Sequence, residues 1–233
     1  MKVQAVTDVG RERSVNQDYV YYSLTETGSL PNLFLVADGM GGHKAGDMAS
    51  RYTVETFVSL VQDSTLKDPV SIINNAVTQV NRRLLQKAAE SENYEGMGTT
   101  LVAATVYDNI LRVANVGDSR LYILGNEITQ ITRDHSLVEE MVSMGEINRE
   151  QKNIITRAIG GYDTVEAEMF SVDLKPNDCI LMCTDGLSNM VEDADILKIV
   201  KSAPDIETAA KNLVAAANAN GGKDNITVMI IEP

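Results

Sequence analysis

Two stretches of this sequence end an apolar run in the same acid–glycine pair. Leu33-Phe34-Leu35-Val36-Ala37 leads into Asp38-Gly39-Met40-Gly41-Gly42-His43, and Cys179-Ile180-Leu181-Met182-Cys183-Thr184 leads into Asp185-Gly186-Leu187. A carboxylate at the end of a strand is held by rigid backbone, and the glycine beside it lets the chain turn and exposes a carbonyl oxygen. Three further acids stand at the edges of apolar segments: Asp18 before Tyr19-Val20-Tyr21-Tyr22, Asp118 just after the run 111–116, and Asp224 just before Asn225-Ile226-Thr227. Singly, each acid reads as a turn residue or a cap. Two near-identical junctions are harder to explain that way. If the edges converge, the carboxylates repel one another strongly unless cations are present. All these donors are oxygens, so Mg²⁺ or Mn²⁺ fits, and neither sulfur nor imidazole is required. Two such ions about 3.5–4 Å apart can share a hydroxide and align it for in-line attack on phosphorus. Asp38 would bridge them, and Arg13, in the polar loop 8–14, would hold the phosphate by a two-pronged hydrogen-bond fork.

The elements that must position these residues follow from periodicity and turn chemistry. Residues 1–7 alternate weakly as a short strand, 19–22 is rich in strand formers, and 33–37 is an apolar strand. A helix is expected over 45–61, with Ala49, Tyr52, Thr53, Thr56, Phe57 and Leu60 on one stripe. A second begins after Asp68 with Pro69 in its first turn, its stripe being Ile73, Ala76, Val77, Val80 and Leu84. Strands at 99–107, 110–116, 120–124 and 127–131 are separated only by Asp108-Asn109, Gly117-Asp118 and Gly125-Asn126. Connections this short imply antiparallel neighbours, a meander. A helical insertion at about 136–157 follows, then strands at 165–174 and 178–183, helices at 193–200 and 205–217, and a last strand at 225–231. Strands in runs and helices in two separate groups predict an α+β fold, two mainly antiparallel sheets each covered by helices; a parallel α/β sheet would need a helix between most strands.

Composition narrows the function classes. The chain has 233 residues, 44% of them hydrophobic, enough for one large domain over 1–233. Its formal charge of −13 repels nucleic acid and anionic membrane over most of the surface. The N-terminus has no apolar signal core, and no stretch approaches the roughly 20 apolar residues of a membrane span. Cys179 and Cys183 lack the spacing of a redox pair or a zinc site, so free buried thiols in a cytoplasmic protein are expected. With only His43 and His135 available, a multi-histidine zinc site is disfavoured.

The motifs together carry a family resemblance. Arg13 with Asn16-Gln17-Asp18, Val36-Ala37-Asp38-Gly39-Met40-Gly41-Gly42, Gly98-Thr99-Thr100, Val116-Gly117-Asp118-Ser119-Arg120, Thr184-Asp185-Gly186-Leu187 and Gly222-Lys223-Asp224-Asn225 occur in this order across almost the whole chain. In this the sequence resembles bacterial metal-dependent serine/threonine protein phosphatases of the PPM or PP2C type. The resemblance implies an α/β/β/α sandwich of two antiparallel sheets flanked by helix pairs. It implies that Asp38 bridges two Mn²⁺ or Mg²⁺ ions, with the Gly39 carbonyl on one of them and Asp185 and Asp224 as the remaining carboxylate ligands. Asp18 is similar to the acid that positions a metal-bound water. Asp118 resembles the acid that, with Asp185, takes a third and weaker metal, and Arg13 matches the phosphate-binding arginine. The insertion at about 136–157 corresponds to a mobile flap beside the site.

One position departs from the pattern. Eukaryotic relatives carry, directly after the Asp-Gly pair, a histidine proposed as general acid. This chain has Met40 there, which has no proton to donate, and His43 three residues on is a candidate replacement. The expected activity is hydrolysis of phosphoserine and phosphothreonine in proteins by a metal-activated hydroxide, without a phosphoenzyme. Its expected partners are phosphoproteins, including an opposing serine/threonine kinase, and the chain is expected to act as a monomer. Three rivals are weaker. A metal-binding scaffold would have lost ligands, a partner-switching regulator usually carries a sensory domain, and a metal nuclease would need a basic stripe.

Overall fold

The computed structural model describes residues 1–42, 45–137 and 155–233. In chain order its strands are β1 (Lys2–Asp8), β2 (Asp18–Ser23), β3 (Leu33–Met40), β4 (Gly98–Thr99), β5 (Leu101–Tyr107), β6 (Ile110–Val116), β7 (Arg120–Leu124), β8 (Ile128–Gln130), β9 (Glu168–Asp173), β10 (Cys179–Cys183) and β11 (Ile226–Glu232). The helices are α1 (Ala45–Gln62), α2 (Pro69–Ala88), α3 (Asp185–Ser188), α4 (Asp193–Ser202) and α5 (Ile206–Ala219). Among the described residues, one sheet runs β1-β11-β10-β7-β8 and the other β2-β3-β5-β6-β9, with β4 on the end of β3. Neighbouring strands are antiparallel throughout.

Strand alternation sorts the apolar residues into three layers. In β3, Leu33, Leu35 and Ala37 pack under α1 and α2, while Phe34 and Val36 face the opposite sheet. In β10 and β11, Leu181, Cys183, Val228 and Ile230 pack under α4 and α5, while Ile180, Met182, Met229 and Ile231 meet Phe34 and Val36 from the other side. The central strands are thus covered on both faces, which is why they read as nearly unbroken apolar runs. The helices are laid down as expected. Asp68 caps α2 by accepting the Ser71 N–H at 2.8 Å, Pro69 occupies the first turn, and Ile73, Ala76, Val77, Val80 and Leu84 are buried. No helix among the described residues is long and apolar enough to cross a membrane.

The predicted meander is corrected. β5 and β6 pair as a hairpin, and so do β7 and β8, but β6 and β7 lie in different sheets. The link 117–119 is therefore a crossing between sheets. Gly117 makes it possible with φ +105°, and a Cβ there would come within 2.6 Å of the Thr100 side chain. A short connection forces antiparallel pairing only when both strands stay in one sheet. Most of the expected insertion at about 136–157 lies outside the described residues. Its described ends meet at a bridge between Ser136 and Ile155.

Candidate metal and phosphate site

Even-numbered residues of β2 and β3 face the layer between the sheets, and that parity carries Val20 and Val36 into the core. It also sends Asp18 and Asp38 to the open end of the same layer, where they stand directly opposite each other in the ladder. From the other sheet, β10 and β11 deliver Thr184 and Thr227 to the same place. Both hydroxyls donate to Asp18 Oδ2, at 2.9 and 2.7 Å. Asp185 opens α3 immediately after β10, Asp224 immediately precedes β11, and Asp118 lies in the sheet-crossing link. Five acids from five separate places in the chain thus share one end of the sandwich.

The two Asp-Gly junctions differ in backbone despite their similar sequences. Asp38 and Gly39 lie inside β3, whereas Asp185 begins a helical turn. Gly39 therefore does not make the expected turn. A glycine is required there because α1 crosses too closely for any side chain: a Cβ would strike the carbonyl of Gly46, with that of Gln17 behind it.

Hydrogen bonds fix the backbone on which these acids stand. The Asp38 N–H donates to Thr100 Oγ1 at 2.9 Å, and its carbonyl accepts from Thr100 N and Thr99 Oγ1 at 2.9 and 2.8 Å. Thr100 Oγ1 lies 2.7 Å from Ser119 Oγ, which ties β3 to the link carrying Asp118. Asp185 Oδ2 accepts from Asn189 at 2.9 Å.

Burial and mutual repulsion raise the acids' proton affinities. Asp38 is pushed well above the ordinary carboxylate value, first by burial and then by Asp18, Asp185, Asp118 and Asp224. Burial takes Asp18 to about 7, against the pull of the Thr227 and Thr184 hydroxyls and with the help of Asp185 and Asp224. Burial with Asp185 and Asp134 takes Asp118 to about 7. Burial with Asp224 takes Asp185 to about 6, partly offset by the neighbouring Asp38 carboxyl.

Arg13 comes to the same end of the fold, where its Nη2 donates to Asp224 Oδ2 at 2.8 Å. A residue to which the sequence reading gave no role, Asn225, holds the loop that carries it. The buried Asn225 amide donates to the carbonyls of Val9 and Val15 at 2.9 and 3.0 Å, and its oxygen accepts the Gln17 N–H at 2.8 Å. Gly222 O takes the N–H groups of Arg11 and Glu12 at 2.6 and 3.2 Å. Asn225, Thr184 and Thr227 all fall within motifs already singled out, but only the fold reveals what they hold. Met40 ends β3 opposite Gly98 and offers a thioether. His43 lies outside the described residues.

Beside the acids opens a cleft of about 570 Å³, lined by Asp118, Arg120, Asp134, Asp185, Lys223 and Asp224 among others. The donor set fits hard divalent cations: the acids repel one another, all are oxygen ligands, and Asp18 Oδ1 and Asp185 Oδ1 are buried without a hydrogen-bond partner. Among the described residues, no three Asp, Glu, His or Cys side chains are grouped so that they could hold an ion by themselves.

A sequence model of the family Protein phosphatase 2C matches residues 9–223. The chain is 38% identical to the serine/threonine phosphatase stp of Listeria innocua over 243 aligned positions, covering 100% of this chain and 96% of that protein. The structure of the S. agalactiae serine/threonine phosphatase superposes with a TM-score of 0.91 at 34% identity, covering 98% of each chain. The PstP catalytic domain in complex with 2 manganese ions superposes with a TM-score of 0.87 at 35% identity, covering 98% of this chain and 96% of that one.

Proposed function

The chain belongs to the Protein phosphatase 2C family, and we propose from that premise how its own residues carry the reaction. It is a metal-dependent protein phosphatase that hydrolyses phosphoserine and phosphothreonine and works with two Mn²⁺ or Mg²⁺ ions. The single observation that carries the residue assignment is the convergence of five acids at one end of the inter-sheet layer, two of them with an orphaned buried oxygen.

In this reading Asp38 would be the carboxylate shared by the two ions, with Asp185, Asp224 and the Gly39 carbonyl as the other protein ligands. Asp118 with Asp185 would hold a third, weaker ion. When bound, the ions supply Lewis acidity toward the phosphate oxygens and toward water. Asp18 keeps Oδ2 locked on Thr184 and Thr227 and presents Oδ1 to orient the attacking water. Arg13 leaves Asp224 to clasp the phosphate, which positions phosphorus and offsets its charge. The water oxygen bonds to phosphorus, the bond to the seryl or threonyl oxygen breaks, and a proton must reach that leaving oxygen. Met40 cannot supply the proton, and His43 is the candidate that this chain offers. The thiols take no part: burial raises both Cys179 and Cys183 to about 12, so neither is a thiolate nucleophile near neutral pH.

The same reading makes residues 1–233 one catalytic domain, with a flap at about 136–157. It acts as a monomer in the cytoplasm against the products of a serine/threonine kinase, because the reaction reverses what such a kinase does. Hydrolysis of a phosphothreonine peptide is expected to require Mn²⁺ or Mg²⁺ and to stop with a chelator. Turnover that persists without metal would overturn the assignment.

A further inference from the structure

Asp118 sits in the link where the chain leaves one sheet for the other, and the residue before it is gripped from one side. The buried His135 ring accepts the Gly117 N–H on Nδ1 at 3.1 Å, and the His135 backbone N–H donates to the Gly117 carbonyl at 2.9 Å. One residue therefore takes both backbone polar groups of the glycine that aims Asp118. On the far side of the ring, Nε2 faces Glu168 Oε2 across 3.5 Å, a contact that favours keeping the ring proton on Nε2. Burial, with Arg157 nearby, lowers the imidazole's proton affinity, which leaves Nδ1 free to accept.

The neighbouring residue repeats the connection. Asp134 accepts a forked pair of bonds from Arg120, Nε at 3.0 Å and Nη2 at 2.7 Å, and Arg120 stands two residues after Asp118. Asn115 adds a bond from its amide to Arg133 O at 2.7 Å. The segment 133–135 is thus bonded to 115, 117 and 120, which flank Asp118 on both sides.

We propose that His135, supported by the Asp134–Arg120 pair, is a positioning residue that aims Asp118 into the cleft. The role assigned to Asp118 rests on the functional reading above, whereas the clamp itself rests on hydrogen bonds to Gly117.

Amide exchange on the metal-free chain tests the clamp without reference to any ion. The Gly117 N–H should be protected in the parent and exchange about tenfold faster in His135→Ala, the effect expected of one lost buried hydrogen bond. Amides of β10 and β11 should keep their protection. His135→Asn, whose amide oxygen can stand where Nδ1 stands, should restore the protection, and His135→Gln should not. Equal Gly117 protection in His135→Ala, or a uniform loss of protection across the chain, would overturn the proposal. Mn²⁺ titration then addresses the consequence. His135→Ala and Asp118→Asn should raise the Mn²⁺ concentration for half-maximal activity by similar factors, and the double variant should add nothing. If Asp118→Asn leaves the Mn²⁺ requirement unchanged, the third-ion role of Asp118 fails, and the exchange result alone decides the clamp.

Discussion

At the scale of single residues, the site separates side chains that hold charge from those that hold shape. Asp38 is the test of the first kind. Its carboxyl faces four other acids, and Asp38→Asn removes the charge while keeping the volume. Activity should fall by about 10³-fold or more, because the ions supply several kcal/mol to the barrier, while the melting temperature of the metal-free protein is kept or rises. Near-parental rates would remove Asp38 as the bridge. Arg13→Ala should raise KM for phosphopeptides by about 10–100-fold, the worth of a charge-assisted hydrogen bond; an unchanged KM would make Arg13 only the partner of Asp224. Asn225→Asp tests shape. It keeps the acceptor for Gln17 but loses the donors to Val9 and Val15, so it should raise KM as Arg13→Ala does while leaving the pH profile of kcat unchanged. Asp38, Asp118 and Asp185 can be singled out in the sequence because each stands beside a glycine at the edge of an apolar run, and Asp18 and Asp224 because each directly precedes one. The partners of Asp18 cannot, because Thr184 and Thr227 lie 166 and 209 residues away along the chain. No spacing rule reaches that far.

At the scale of elements, the sequence defines strands and helices well and sheet membership poorly. The α2 start at Asp68-Pro69 and its buried stripe follow from capping and from 3.6-residue periodicity alone. The β6–β7 crossing does not, because both strands are buried on both faces and their apolar runs look alike whichever sheet they join. The two Asp-Gly junctions read as one design for the same reason: periodicity shows where an apolar run ends, and says nothing about whether the backbone then continues as strand or begins a helix. Gly117 is the residue on which the crossing depends. Gly117→Ala would put a Cβ in the left-handed region and against Thr100, at a cost of about 1–3 kcal/mol. For a chain of this length that is a melting temperature lower by about 2–12 °C. Because Asp118 follows directly, the variant should also need more Mn²⁺. A variant as stable as the parent would show that the link tolerates a side chain and that the crossing is set elsewhere.

At the scale of the whole molecule, a protein with formal charge −13 concentrates uncompensated acid at one end of its sandwich, and this sets how its stability depends on pH. Asp18, Asp118 and Asp185 carry raised values of about 7, 7 and 6 against 3.8 for an unperturbed Asp, and Asp38 is also raised well above it. Between about pH 4 and 7 the folded metal-free chain therefore holds protons that the unfolded chain has already released. Stability must fall as pH rises through this window, by an amount on the order of a few kcal/mol. The capping acids Asp68 and Asp205 work in the opposite sense, but their values are lowered from 3.8, so they titrate below that window and do not tilt it. The melting temperature of chelator-treated protein should thus decline from about pH 5 to about pH 7.5. Saturating Mn²⁺ should reverse the decline, with a stabilisation that grows with pH and a measurable release of protons on binding, because each ion takes the place of protons shared among the acids. Asp18→Asn should flatten the metal-free slope, since it removes one of the titrating groups and leaves the sandwich packed. A metal-free melting temperature that stays level or rises over this range would mean that the acids ionise freely in the folded chain. The convergence at the open end of the inter-sheet layer would then not be the electrostatic trap that makes it a cation site.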